Sequence, residues 1–172
     1  MQLPIRSIAP LALGLLLAAG AAQAVEYRSL GFSFGTFDTA AAFEDKGTLD
    51  STEVGLQLRW ANIWALGLGP IAGASVNGDS AFWVYAGLRR PFNAGEHWLV
   101  SPSFAFTFYE QGDSKDLGNE LEFRSGIEVA YRFAGGSTLG AEFYHLSNAS
   151  ISDVNPGSNS LVLLYAIPLG RP

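Results

Sequence analysis

Apolar and polar residues alternate one by one along most of this chain. The clearest run is 120–133. Glu120, Glu122, Arg124, Gly126, Glu128, Ala130 and Arg132 fall on one side, and Leu121, Phe123, Ser125, Ile127, Val129, Tyr131 and Phe133 on the other. A period of two marks an extended strand with one apolar face, and here the polar face is strongly charged. Leu30, Phe32 and Phe34 repeat the pattern against Ser29, Gly31, Ser33 and Gly35. Val54, Leu56, Leu58 and Trp60 alternate with Glu53, Gly55, Gln57 and Arg59, and Trp64, Leu66 and Leu68 with small residues. Phe82, Val84, Ala86 and Leu88 face away from Trp83, Tyr85 and Arg89. Trp98, Val100, Phe104, Phe106 and Phe108 alternate with Ser101, Ser103, Ala105, Thr107 and Tyr109. With 138–147 and 159–168 the expected strands number eight.

Two architectures share this period. A soluble sandwich or lipocalin-like barrel turns its apolar faces inward, whereas a membrane barrel turns them to lipid and keeps the charges in its lumen. Most of these runs approach the ~9–11 residues of a tilted membrane strand, about twice the soluble average. The fold class expected is therefore an all-β, eight-stranded antiparallel transmembrane β-barrel, narrow enough for side chains to fill it. Trp60, Trp64, Trp98 and Tyr165 lie near strand ends, where an aromatic girdle sits.

With a periplasmic N-terminus, the external connections are about 38–50, 76–80, 110–119 and 148–158, and the periplasmic ones 61–63, 90–97 and 134–137. Three external loops are long and polar or acidic, which matches the outer-membrane rule.

Residues 1–24 read as a secretory signal, with Arg6 at its start, an apolar stretch from Leu11 to Ala22, and Ala22-Gln23-Ala24 as the cleavage site. Residues 25–172 form the expected barrel domain. No stretch reaches the ~18 apolar residues of a membrane helix.

Composition sharpens this picture. Of 172 residues, 48% are hydrophobic, 13% aromatic and only 15% charged, with 10 basic against 16 acidic side chains. A net charge of −6 argues against nucleic acid as a partner, because phosphate contacts need clustered Lys and Arg. With no cysteine there is neither disulfide nor thiolate chemistry.

Most ionisable groups have structural readings. Glu53, Arg59, Glu120, Glu122, Arg124, Glu128, Arg132 and Glu142 are expected to pair across the lumen. His97 lies in a periplasmic connection without a matching ligand set, so no metal or other cofactor is expected. Arg89-Arg90 either meets inner-leaflet headgroups or simply ends a strand.

His145 and Ser147 differ. They are two apart on one strand and so share a face, and that face carries Leu139, Ala141 and Phe143. In a barrel they point toward lipid at the external end. A histidine beside a hydroxyl suits attack on an ester in the outer leaflet, His as general base and Ser as nucleophile.

The residues His145-Leu146-Ser147-Asn148-Ala149, then Asn155-Pro156-Gly157, then Leu163-Leu164-Tyr165-Ala166-Ile167-Pro168 resemble the C-terminal signature of the lipid A 3-O-deacylase (PagL) family of outer-membrane hydrolases. The resemblance covers roughly 138–168. It implies a barrel in the Gram-negative outer membrane that removes an ester-linked 3-position hydroxyacyl chain from lipid A, using a serine nucleophile, a histidine base and an acidic orienting residue. Ser147 and His145 fall at the first two positions. Asn148 and Asn155 fall where family asparagines lie near the reacting centre, and their amides can donate to an oxyanion. Ordinary turn chemistry also explains them.

The acidic position is Asn159 here. Three outcomes stand: Asn159 orients His145, Asp153 substitutes for the acid, or the chain is a weak or altered-specificity relative. The rival reading from another class is a catalytically weak or inactive structural barrel. The implied partners are lipid A or lipopolysaccharide as substrate and outer-membrane lipid, with a homodimer as a candidate assembly.

Overall fold

The structure, a computed structural model, describes residues 27–39, 51–62 and 67–170. The expected signal segment 1–24, Trp64, Leu66 and most of the first external loop lie outside them.

The alternating segments form antiparallel strands: β1 (Tyr27–Phe37), β2 (Ser51–Trp60), β3 (Gly69–Asn77), β4 (Phe82–Arg89), β5 (Phe92–Ala94), β6 (Trp98–Glu110), β7 (Leu121–Arg132), β8 (Thr138–Ser147) and β9 (Ser158–Pro168). They follow the order β4-β3-β2-β1-β9-β8-β7-β6-β5, and an added β4–β6 pairing closes the sheet. Closure leaves no unpaired edge among the described strands, the condition for crossing a bilayer with strands.

Nine segments make eight staves. Arg89 pairs with Ser103 and Phe92 with Val100, so β5 continues β4 in the same register along β6. Pro91 has no N–H to give the ladder, while Arg90 N–H still donates to Pro102 O at 2.9 Å. The connection expected over 90–97 therefore contains a short strand, with its turn at 95–97.

Strand three differs from expectation at Leu68, which precedes its start at Gly69. Its small residues hide the alternation for a packing reason. A Cβ at Gly73 would stand 2.4 Å from the Tyr85 ring, so β3 is thin where Tyr85 fills the lumen.

The two faces settle membrane against water. The outward residues are the greasy ones: Leu163 is 61% exposed, Phe106 60% and Phe34 59%. The charges are inside, with Glu142 at 4% and Arg59 at 3%. Arg59 meets Glu128 at 3.1 Å, and Arg124 meets Glu142 at 2.8 Å. The Tyr144 hydroxyl donates to Glu53 at 2.5 Å. Arg124 also lies over the Tyr144 ring, 3.8 Å from its centroid, a desolvated cation–π contact.

Three expected lumen charges behave otherwise. Glu120 precedes β7 and is exposed. Arg132 sits at the periplasmic rim and donates to Glu96 O at 3.0 Å. Glu122 is buried, but neither carboxyl oxygen has a hydrogen-bond partner among the described residues.

The barrel has an aromatic end and a plugged end. Periplasmic Trp98, Tyr131 and Phe133 form a belt, with Trp98–Tyr131 ring centroids 5.5 Å apart and Tyr131–Phe133 5.1 Å. At the external mouth the β6–β7 loop folds Leu117 inward, and it is buried with Phe37, Trp83 and Tyr109. Lys115 ties that loop to Asp38 at 2.8 Å. With its mouth so filled, this barrel carries its unusual chemistry on the outside.

Candidate active site

Strand β8 presents two series. Glu142, Tyr144 and Leu146 are buried in the lumen and hold the strand's rotation, while Leu139 and Phe143 are exposed on the outer wall. His145 and Ser147, half-buried, continue the outer series to the external end. Both therefore face the membrane side of the barrel.

Register brings in the third residue. Asn159 is the β9 partner of His145, on the outward series with Leu161, Leu163 and Tyr165. His145 Nδ1 and Asn159 Oδ1 are 2.9 Å apart. An amide oxygen only accepts, so with this orientation Nδ1 carries the proton and Nε2 keeps its lone pair. The Asn159 carbonyl accepts from Thr39 N–H at 2.7 Å, pinning the start of β9. Asp153 is exposed in the β8–β9 loop, and the ring's partner is Asn159.

Gly157 shapes the other side of the ring. It has φ +62°, and a Cβ there would come within 2.7 Å of His145 Cε1 and 3.2 Å of Nε2. The Nε2 end thus points toward Gly157, at the level of Ser147 along the wall. In the sequence, Gly157 is marked only by being the glycine of Asn155-Pro156-Gly157. No hydrogen bond joins Ser147 Oγ to the ring among the described residues; such catalytic contacts commonly close only around substrate.

Asn148 does not serve as expected. Fully buried, it uses its Nδ2 to donate to Leu117 O and Val154 O, both at 2.9 Å. Both protons are committed, so its side chain has none for an oxyanion. It acts as a brace, tying the residue after Ser147 to two external loops. Its backbone N–H donates to Asn155 Oδ1 at 3.1 Å, which leaves the amide nitrogen of the exposed Asn155 as the candidate donor. Ala149 and Ser150 then turn the chain sharply, both left-handed at φ 53° and 62°. Such strain is tolerated where surrounding contacts impose it.

The remaining candidates lie away from the site. His97 stacks near Tyr131 at the periplasmic end, with centroids 5.3 Å apart. Arg90 lies over Phe92 at 4.7 Å.

A closed barrel with a greasy wall and an ion-paired interior is built for the outer membrane, and a polar cluster on that wall is open to lipid rather than to the lumen. The chain belongs to the lipid A 3-O-deacylase (PagL) family, whose model matches residues 29–168. Lipid A deacylase PagL from Pseudomonas aeruginosa is 37% identical over 65 residues, 38% of this chain. The match spans only 37% of that relative's length. Among solved structures, the outer membrane enzyme PagL aligns with TM-score 0.66 at 21% identity, covering 82% of this chain and 99% of that one. A de novo designed transmembrane β-barrel aligns with TM-score 0.57 at 12% identity, over 86% and 98%. At these identities the structural matches speak for the fold.

Proposed function

We propose that this protein is an outer-leaflet serine esterase that removes the ester-linked 3-position hydroxyacyl chain of lipid A. The carrying observation is the 2.9 Å His145–Asn159 pair on the lipid-facing wall, with Ser147 two residues along the same face. Polar side chains are costly against hydrocarbon, and this set has the composition of an acyl-transfer site.

Asn159 Oδ1 holds the Nδ1–H of His145 and so presents Nε2 as the base. Nε2 takes the Ser147 hydroxyl proton as Oγ attacks the ester carbonyl carbon. The oxyanion is met by Asn155 Nδ2. The tetrahedral adduct collapses as His145 gives its proton to the departing sugar oxygen, leaving an acyl-Ser147 ester. Water, deprotonated by Nε2, attacks that ester; the fatty acid leaves, and Oγ recovers its proton. Every proton passes through His145. The substrate reaches the site by lateral diffusion and stays in the bilayer.

One observation favours a second reading, a weak or inactive structural barrel. Asn159 is neutral and cannot stabilise an imidazolium as a carboxylate does. In a serine protease the Asp-to-Asn change costs about 10⁴ in kcat. The test is mass spectrometry of lipid A incubated with the detergent-solubilised protein. Loss of one hydroxyacyl chain with wild type but not with Ser147→Ala is expected. No mass change with wild type or with Asn159→Glu would leave the structural reading.

A further inference from the structure

We propose that Ser125 is a specificity residue that reads the 3-hydroxyl of the acyl chain; this rests on the esterase function proposed above. Ser125 is on β7, directly opposite His145 in the ladder, while Phe123 is opposite Ser147. It is exposed on the outer wall. Its neighbours along that series are apolar and also face lipid, among them Leu121, Ile127 and Val129. The Ser125 hydroxyl has no hydrogen-bond partner among the described residues. An unpartnered hydroxyl facing hydrocarbon is unfavourable, so a ligand that supplies a polar partner is favoured there.

The surroundings say where that ligand runs. Phe104 on β6 pairs with Ser125, and Phe106 with Phe123. The Phe104 and Phe123 rings stack at 6.0 Å, and Phe106 and Phe123 lie 5.6 Å apart. Phe143, two residues before His145, is exposed on the same wall. An acyl chain descending from Ser147 toward mid-membrane therefore runs along an apolar track, and Ser125 is the polar break beside it.

Reach agrees. Ser125 and Ser147 are diagonal neighbours on one face, roughly 7 Å apart. An acyl carbonyl at Ser147 carries its 3-hydroxyl on the second carbon beyond it, and a hydrogen bond of about 2.8 Å spans the remainder. A hydroxyl on that carbon finds Ser125; a plain chain leaves the serine unpaired.

The experiment compares two lipid A substrates identical except for a 3-hydroxyacyl or an unsubstituted acyl chain at the scissile ester. The full chain in detergent is assayed for kcat/KM on each, as wild type, Ser125→Ala and Ser125→Thr. Wild type should prefer the hydroxylated chain by roughly five- to tenfold, the worth of one hydrogen bond. Ser125→Ala should bring the ratio near one, and Ser125→Thr should retain the preference. The ratio is independent of how much protein folds. Wild type cleaving both equally, or a ratio unchanged in Ser125→Ala, overturns the role of Ser125 and leaves the esterase standing. Wild type that cleaves neither overturns both.

Discussion

The lumen and the outer wall of β8 both hold polar groups, and they treat them in opposite ways. Inside, Arg59, Arg124 and Glu53 each meet a named partner at 2.5–3.1 Å, and a cation–π contact is added where Arg124 crosses Tyr144. Outside, His145 has one side-chain hydrogen-bond partner among the described residues, Asn159, while Ser147 and Ser125 face lipid. Paired charges specify a structure, because a buried ion is stabilised by its partner; Glu122 is the lumen exception among the described residues. Unsaturated groups against hydrocarbon cost stability, and in the proposed esterase a bound substrate would supply the partners they lack.

That contrast can be broken most sharply at Ser147. Ser147→Ala should lower deacylation by more than about 10³-fold, measured as product mass per unit time, while the barrel stays folded by heat-modified gel mobility. Asn159→Glu tests the same wall in the other direction. A carboxylate opposite His145 Nδ1 should raise kcat at neutral pH, by up to about 10⁴-fold if the serine-protease penalty for the amide applies. An unchanged or lower rate would show that this site is built around the amide.

Arg124→Ala probes the inside. It strands Glu142 in the lumen and should cost about 3–5 kcal/mol, read as a lower urea midpoint in a folding titration. The fraction that folds should keep its activity, since Arg124 lies on the far side of the wall from Ser147. Loss of catalysis at full folding would mean the two regions are coupled. Asn155→Ala should lower kcat by about 10²-fold or less, with KM little changed, as removal of one oxyanion donor does.

Much of the barrel was readable from the chain because β-structure writes itself with a period of two. The 120–133 run predicted β7 and its charged inner face, and the 138–147 alternation put His145 and Ser147 on the outside. The errors came where that period was faint or interrupted. Gly69–Asn77 carries small residues because Tyr85 fills the space above Gly73, so its pattern was weak. Arg90-Pro91 looked like a loop, yet β5 resumes the register of β4.

The site was less legible. Asn159 stood out as the residue at the family's acidic position, and strand register is what brings it opposite His145. Asn148 stood in the right motif, and its amide proved committed to two backbone carbonyls from separate loops. Glu122 looked like another paired lumen charge, and has no hydrogen-bond partner among the described residues.

The sequence by itself determined strand number, which face is greasy, and that His145 and Ser147 share that face, since each depends on neighbours one or two residues apart. Only the tertiary structure decided what meets what: Asn159 against His145, Asn148 against Leu117, Ser125 against His145. Those pairings join residues far apart in the chain, and cross-strand register and loop packing, rather than local pattern, set them.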